Sequence, residues 1–265
     1  MEYLGFSFAV IIGLVMGLIG GGGSILSVPV FVYLFHYDAI TATSYSLFVV
    51  GVTSAFGVLG HIKERKIRLR YSVAFLFGLP SILGVVFSRR IIVPNLPHYI
   101  VSRWGVVVTN ETFVLLLFSM LMLVSSYQMI KNTPQRVGAA FRLNHTLLVS
   151  QGLLVGIVTG FVGAGGGFLI VPALVMLVKL NIREAIATSL FIIAINANIG
   201  FLSSLDGVLV DWGFLFTFSS LSILGIVIGL SLSKKIEGKR LKPIFGWFVL
   251  CMGVYVILKE TIFQG

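Results

Sequence analysis

The sequence predicts an all-α polytopic membrane protein: two homologous halves, inverted repeats of about five helical segments each, with glycine-broken helices near the midplane. Three observations predict it. Of 265 residues, 57% are hydrophobic and 11% charged, with a mean hydropathy of +1.06, whereas a soluble domain carries about 25% charged residues. The apolar residues fall in runs that approach or exceed the ~20 residues needed to cross a bilayer. One glycine-rich stretch also occurs twice. The first copy is Gly17-Leu-Ile-Gly-Gly-Gly-Gly-Ser24 followed by Ile25-Leu-Ser-Val-Pro29; the second is Gly160-Phe-Val-Gly-Ala-Gly-Gly-Gly167 followed by Phe168-Leu-Ile-Val-Pro172, 143 residues later at every matched position.

In chain order, a first apolar run covers residues 4–19 and lacks a basic start, which argues against a cleavable signal peptide. After the glycines come runs at 24–35, 43–60 and 71–87, with a basic loop at 63–70. The connector 88–110 contains Pro94, Pro97, Arg89, Arg90 and Arg103, and has room for a short interfacial segment at 99–108. A span at 112–130 closes the first repeat, 1–130. A polar cytoplasmic linker, 131–142, precedes the second repeat, 143–265. There the runs are 145–162, 168–178, 185–205, 212–232 and 243–258, with an acidic turn at 206–211 and a basic loop at 234–242. The repeat extends beyond the glycines: Ala42-Thr-Ser-Tyr-Ser46-Leu-Phe48 matches Ala185-Ile-Ala-Thr-Ser189-Leu-Phe191, Gly57 matches Gly200, and Ser81-Ile-Leu-Gly84 resembles Ser222-Ile-Leu-Gly225. Internal repeats of this kind are a transporter signature.

Charge sets the expected orientation. Loops 63–70 and 234–242 each hold five cations and one acid, and the linker holds three cations; such loops face the cytoplasm. Five crossings per half put all three inside and leave Asp38 and the turn 206–211 outside. Four crossings per half do not. The same bias explains the formal net charge of +10 without nucleic acid as a partner. The single cysteine, Cys251, has no intramolecular disulfide partner, and no metal-ligand cluster or cofactor motif is present. Neither glycine cluster is followed by Lys-Ser or Lys-Thr, so neither is a phosphate loop.

A glycine run costs about 1 kcal/mol per residue in a helix interior, and such a break in lipid must be buried in protein or line a cavity. A half-helix starting after it presents unpaired N–H groups and the positive end of its dipole to an anion. The candidate anion site is therefore Gly20, Gly21, Gly22, Gly23 and Ser24 in one half, and Gly163, Gly165, Gly166 and Gly167 in the other. Ser46, Thr53, Ser189 and Asn196, from the repeat-matched third segments, are the polar candidates beside it. Asn196 and Asn198 are two residues apart, so only one can face the site squarely. No charged residue is expected mid-span, which leaves a neutral, donor-lined site and a small anion as substrate. An intramembrane serine hydrolase built on Ser24 with His61 or His36 as base is a weaker reading, because Gly167 stands at the matched position of the second copy. A channel for a small oxyanion is a further alternative.

The twin glycine break with its following proline, the Ala-x3-Ser-Leu-Phe element and the basic loop resemble the TauE/SafE family of membrane permeases, also called the sulfite exporter or toluene-sulfonate uptake family. The resemblance spans nearly the whole chain. It implies a secondary transporter or facilitator, not an enzyme, for a sulfur-containing anion such as sulfite or an organosulfonate, in the inner (plasma) membrane. Export is the direction needing least machinery; the oligomeric state is left open.

Overall fold

The computed structural model describes residues 2–63, 69–97, 99–103, 106–131, 145–163, 165–176, 178, 180–233, 235 and 238–262. Among these are ten α-helices, five on each side of the linker. They are α1 (Glu2–Ile19), α2 (Ser24–Tyr33), α3 (Ala39–Lys63), α4 (Tyr71–Phe87), α5 (Asn110–Ile130), α6 (His145–Val162), α7 (Gly167–Met176), α8 (Ile182–Leu202), α9 (Trp212–Ser233) and α10 (Gly238–Ile262). Residues 64–68 of the first basic loop, 132–142 of the linker and 234, 236 and 237 of the second basic loop lie outside the described residues.

Five of these helices are long and apolar enough to cross a membrane, among the described residues: α3, α4 with its extension, α6, α8 and α9. Segments of α1, α2 and α5 are shorter apolar helices. The side chains turned outward are themselves apolar, with Leu83 68%, Leu154 62% and Leu224 60% exposed. Two acids sit just ahead of helix starts. Asp38 Oδ2 accepts from the Thr41 N–H ahead of α3, and Asp211 Oδ1 accepts from the Phe214 N–H ahead of α9, the N-cap role that short carboxylates favour.

The connector departs from expectation at its start. The last turn of α4 does not stop at Phe87 but widens into a π-helical turn over Ser88–Ile92, a feature frequent at functional sites. Within the short segment expected there, β1 (Tyr99–Arg103) pairs antiparallel with β2 (Val106–Thr109), as the β-branched run favours.

The principal long-helix pairs join one half to the other: α1 with α9, α4 with α6, α3 with α8, and α5 with α10. Small residues make these approaches possible. On α1, Gly13 lies against Ser222 and Ile226 of α9, and Gly17 lies against Ile226 and Leu230. On α6, Gly152 lies against Phe77 of α4, Gly156 against Ser81, and Gly160 against Val85 and Ser88. Both pairs ascend together, so α1 runs parallel to α9 and α4 parallel to α6. They are also repeat counterparts of each other, since Gly13 and Gly17 match Gly156 and Gly160. Packing of small residues every fourth position is a common way for helices to associate in lipid. In contrast, Gly51 of α3 meets Asn198 of α8, Gly57 meets Leu190, and Gly200 meets Leu47. The numbers run in opposite senses, so α3 is antiparallel to α8, its own repeat counterpart.

Candidate functional site

The two glycine breaks are interior, and their described residues are buried. Gly20 has φ of 80° and its match Gly163 has φ of 74°, a left-handed conformation that glycine adopts without the penalty other residues incur. Beyond these matched corners the copies diverge. Gly21–Gly23 form a 3-10 turn that leads into α2 at Ser24, whereas Gly165 and Gly166 stay left-handed at 62° and 77° before α7 begins at Gly167.

Each break sits on the first turns of the opposite half's long third helix. A Cβ on Gly20 would lie 3.1 Å from Ile186 Cγ2 and 3.2 Å from Ser189 Oγ, both on α8. A Cβ on Gly163 would overlap Thr43 on α3; Thr43 is the repeat match of Ile186. The breaks also touch one another: a Cβ on Gly21 or on Gly167 would overlap the other residue's Cα. Gly23 backs onto α1 at Ile12 and Met16, Gly165 faces Val50 and Ile193, and Gly166 faces Thr159. Gly22 is buried within the 3-10 turn.

The predicted side-chain donors are mostly engaged. Ser24 donates its hydroxyl to the Gly21 carbonyl, Ser27 donates to the Ser24 carbonyl and pairs with Ser46, and Ser189 donates to the Ile186 carbonyl. Asn196 is buried and donates from Nδ2 to Ser81 Oγ at 2.6 Å, tying α8 to α4, while Asn198 donates to the Ala194 carbonyl of its own helix. Asn196 Oδ1 and Thr53 Oγ1, at repeat-matched positions, have no hydrogen-bond partner among the described residues.

The expectation of a site without charge is overturned by Arg89. Sequence reading places Arg89 and Arg90 together in the connector. Because the helix continues through the π turn, Arg90 is exposed whereas Arg89 turns inward and is only 2% exposed. Its Nη1 donates to Thr43 Oγ1 at 3.2 Å and to Ser44 Oγ at 3.3 Å. Those two hydroxyls in turn donate to the Ile40 carbonyl, so their lone pairs are left to the guanidinium. Arg89 Nε and Nη2 and Ser88 Oγ have no partner among the described residues. A Cβ on Gly163 would come 2.5 Å from Nη2, so only a glycine lets the guanidinium lie against the second break. In the register that matches Ser81 with Ser222, the other half has Leu230 at this position. The only signal in the sequence is the Arg-Arg pair directly after an apolar run. No cluster of three His, Cys, Asp or Glu side chains fit for a metal is found among the described residues.

Ten helices among the described residues, in two sets of five, with apolar side chains turned outward and glycine breaks held inside, define a multi-pass membrane protein. The sequence model of the sulfite exporter TauE/SafE family matches residues 5–256, and the chain belongs to that family. A probable membrane transporter protein of Xylella fastidiosa is 28% identical over 260 residues, covering 94% of this chain and 92% of the relative. One from Methanocaldococcus jannaschii is 24% identical, covering 94% of each chain. The probable membrane transporter protein YunE of Bacillus subtilis is 25% identical, covering 98% of this chain and all of the relative. The protein is thus a membrane transporter rather than an enzyme. No solved structure matches it.

Proposed function

We propose that the chain moves a small sulfur-containing anion, sulfite or an organosulfonate, across the inner (plasma) membrane by alternating access. The observation that carries the reading is the meeting of the two glycine breaks at Gly21 and Gly167, with the half-helices α2 and α7 starting beside them. The substrate path passes Gly20 to Ser24 and Gly163 to Gly167, with Ser46, Thr53, Ser189 and Asn196 from the long third helices close to it. The two repeats, 1–130 and 143–265, are inverted halves that rock against one another. The antiparallel course of α3 and α8 supports that orientation, because parallel halves would make repeat-matched helices run the same way. The family's description supports the sulfur anion.

Export follows from energetics. With about 100 mV negative inside, expelling one negative charge gains roughly 2.3 kcal/mol without a coupling ion. The test is flux from proteoliposomes loaded with sulfite, taurine, sulfoacetate, thiosulfate or sulfate under an inside-negative potential. Saturable, potential-dependent efflux of one sulfur anion is expected. Flux that does not saturate would replace the carrier by a channel, and no flux of any sulfur anion would overturn the substrate.

A further inference from the structure

Resting on that anion-transport reading, we infer that Arg89 is the counter-ion of the transported species and restricts it to monoanionic oxyanion head groups, such as a sulfonate or singly protonated sulfite. An isolated guanidinium inside a membrane protein is costly to desolvate unless a negative charge joins it. Among the described residues no carboxylate pairs with Arg89. Among those residues only one of its nitrogens is engaged, and that one by neutral hydroxyls. Nε and Nη2 are left as two donors on one edge of a planar fork, the geometry that grips two oxygens of an oxyanion. Ser88, the preceding residue, is also buried with an unpartnered Oγ among the described residues. Gly163 opens the second break to the guanidinium, and the break leads into the N-terminus of α7.

The charge count sets the selectivity. One buried cation neutralises one negative charge, so a monoanion is carried as a neutral pair. A dianion, such as sulfate, leaves one buried charge uncompensated, and that is unfavourable in a dry interior. The pairing is also one-sided. Leu230 at the matched place means that the first break has no counterpart of Arg89. The anion is therefore held at the second break, with Arg89 anchored to the start of α3, and is released when the halves move apart there.

The same guanidinium edge would also accept the phosphate of a lipid headgroup, so the experiment separates the two sources. Binding of methanesulfonate and of sulfate is measured by calorimetry on the whole protein in phosphatidylcholine nanodiscs, then in nanodiscs containing phosphatidylglycerol. Wild type is expected to bind methanesulfonate at least 10-fold more tightly than sulfate, in both lipids. Arg89→Gln is expected to weaken methanesulfonate binding about 10- to 100-fold, the loss of a charge-assisted pair, with Arg89→Lys in between and the exposed Arg90→Gln unchanged. The wild-type selectivity needs no variant, so the inference stays testable if Arg89→Gln does not fold. Equal affinity for sulfate, or unchanged binding in Arg89→Gln, would overturn it. Methanesulfonate binding abolished by phosphatidylglycerol would assign the cation to lipid. Arg89-dependent binding of nitrate without any sulfur anion would remove the proposed substrate and leave this inference standing. Sulfonate flux at wild-type KM in Arg89→Gln would do the reverse.

Discussion

Gly21 and Gly167 lie backbone against backbone, so close that a Cβ on either would overlap the Cα of the other. Neither residue needs a left-handed φ; it is the approach itself that excludes a side chain. Gly21→Ala and Gly167→Ala are each expected to lower stability by about 1–3 kcal/mol through overpacking and to reduce flux. Both remove the same approach, so the double variant should cost less than the sum of the two. Thermal unfolding in detergent measures this, and strict additivity would contradict a direct contact.

The parallel helix pairs make a contrast between glycines. A Cβ on Gly156 would overlap the Ser81 carbonyl, and one on Gly13 the Ser222 carbonyl. Gly78 of α4 is different, because its Cβ would meet only Ile192 side-chain atoms, the nearest at 3.6 Å. Alanine at 156 or 13 is expected to shift the melting temperature down through overpacking of about 1–3 kcal/mol. Alanine at 78 should leave it unchanged or raise it, since glycine in a helix interior costs about 1 kcal/mol relative to alanine. A melting-temperature series of the three variants reads the difference directly.

Asn196 and Ser81 hold α8 to α4 by a single hydrogen bond. Interhelical bonds in membranes are worth about 0.6 kcal/mol on average and at most about 1.7. A double-mutant cycle with Asn196→Ala and Ser81→Ala is expected to give a coupling in that range. If Asn196 also faces the anion, its variant raises KM beyond what Ser81→Ala does; equal kinetics in the two would confine Asn196 to packing.

The Tyr45 hydroxyl donates to the Leu209 carbonyl at 3.1 Å and accepts from the Asp211 N–H at 2.8 Å, pinning the connection between α8 and α9. Its repeat match, Thr188, accepts from the Arg70 N–H in the connection between α3 and α4. Tyr45→Phe keeps the buried ring and removes both bonds, so a loss of about 1–3 kcal/mol is expected. Hydrogen exchange at residues 205–211 should speed up while α3 itself stays protected.

Much of this arrangement is legible in the sequence, because apolar length, a duplicated glycine motif and a constant offset are local properties. They locate ten helices, both breaks and the burial of Gly20 to Gly23. They also separate Asn196, which is buried, from Asn198, which is not. Arg89 is not legible. Whether a helix stops at Phe87 or runs another turn depends on what α6 and α3 offer the next residues, and that is a tertiary matter. Ser24, Ser46 and Ser189 look like free donors in the sequence, yet the fold engages them with nearby carbonyls or with Ser27. The pairing of Tyr99–Arg103 with Val106–Thr109 has a legible signal in its valine run.

The pairing of helices across the halves has a consequence for synthesis. The glycine face of α1 finds its seat on α9 only after nearly the whole chain has been made. Between Gly13 and Ser222 the ribosome needs roughly 10–40 s at ~5–20 residues per second. During that interval α1 stands in the bilayer with its closest-fitting surface bare. Newly made protein should be most exposed to membrane proteases and chaperones just before α9 emerges, and a chain halted in the linker should be degraded unless the missing half is supplied separately.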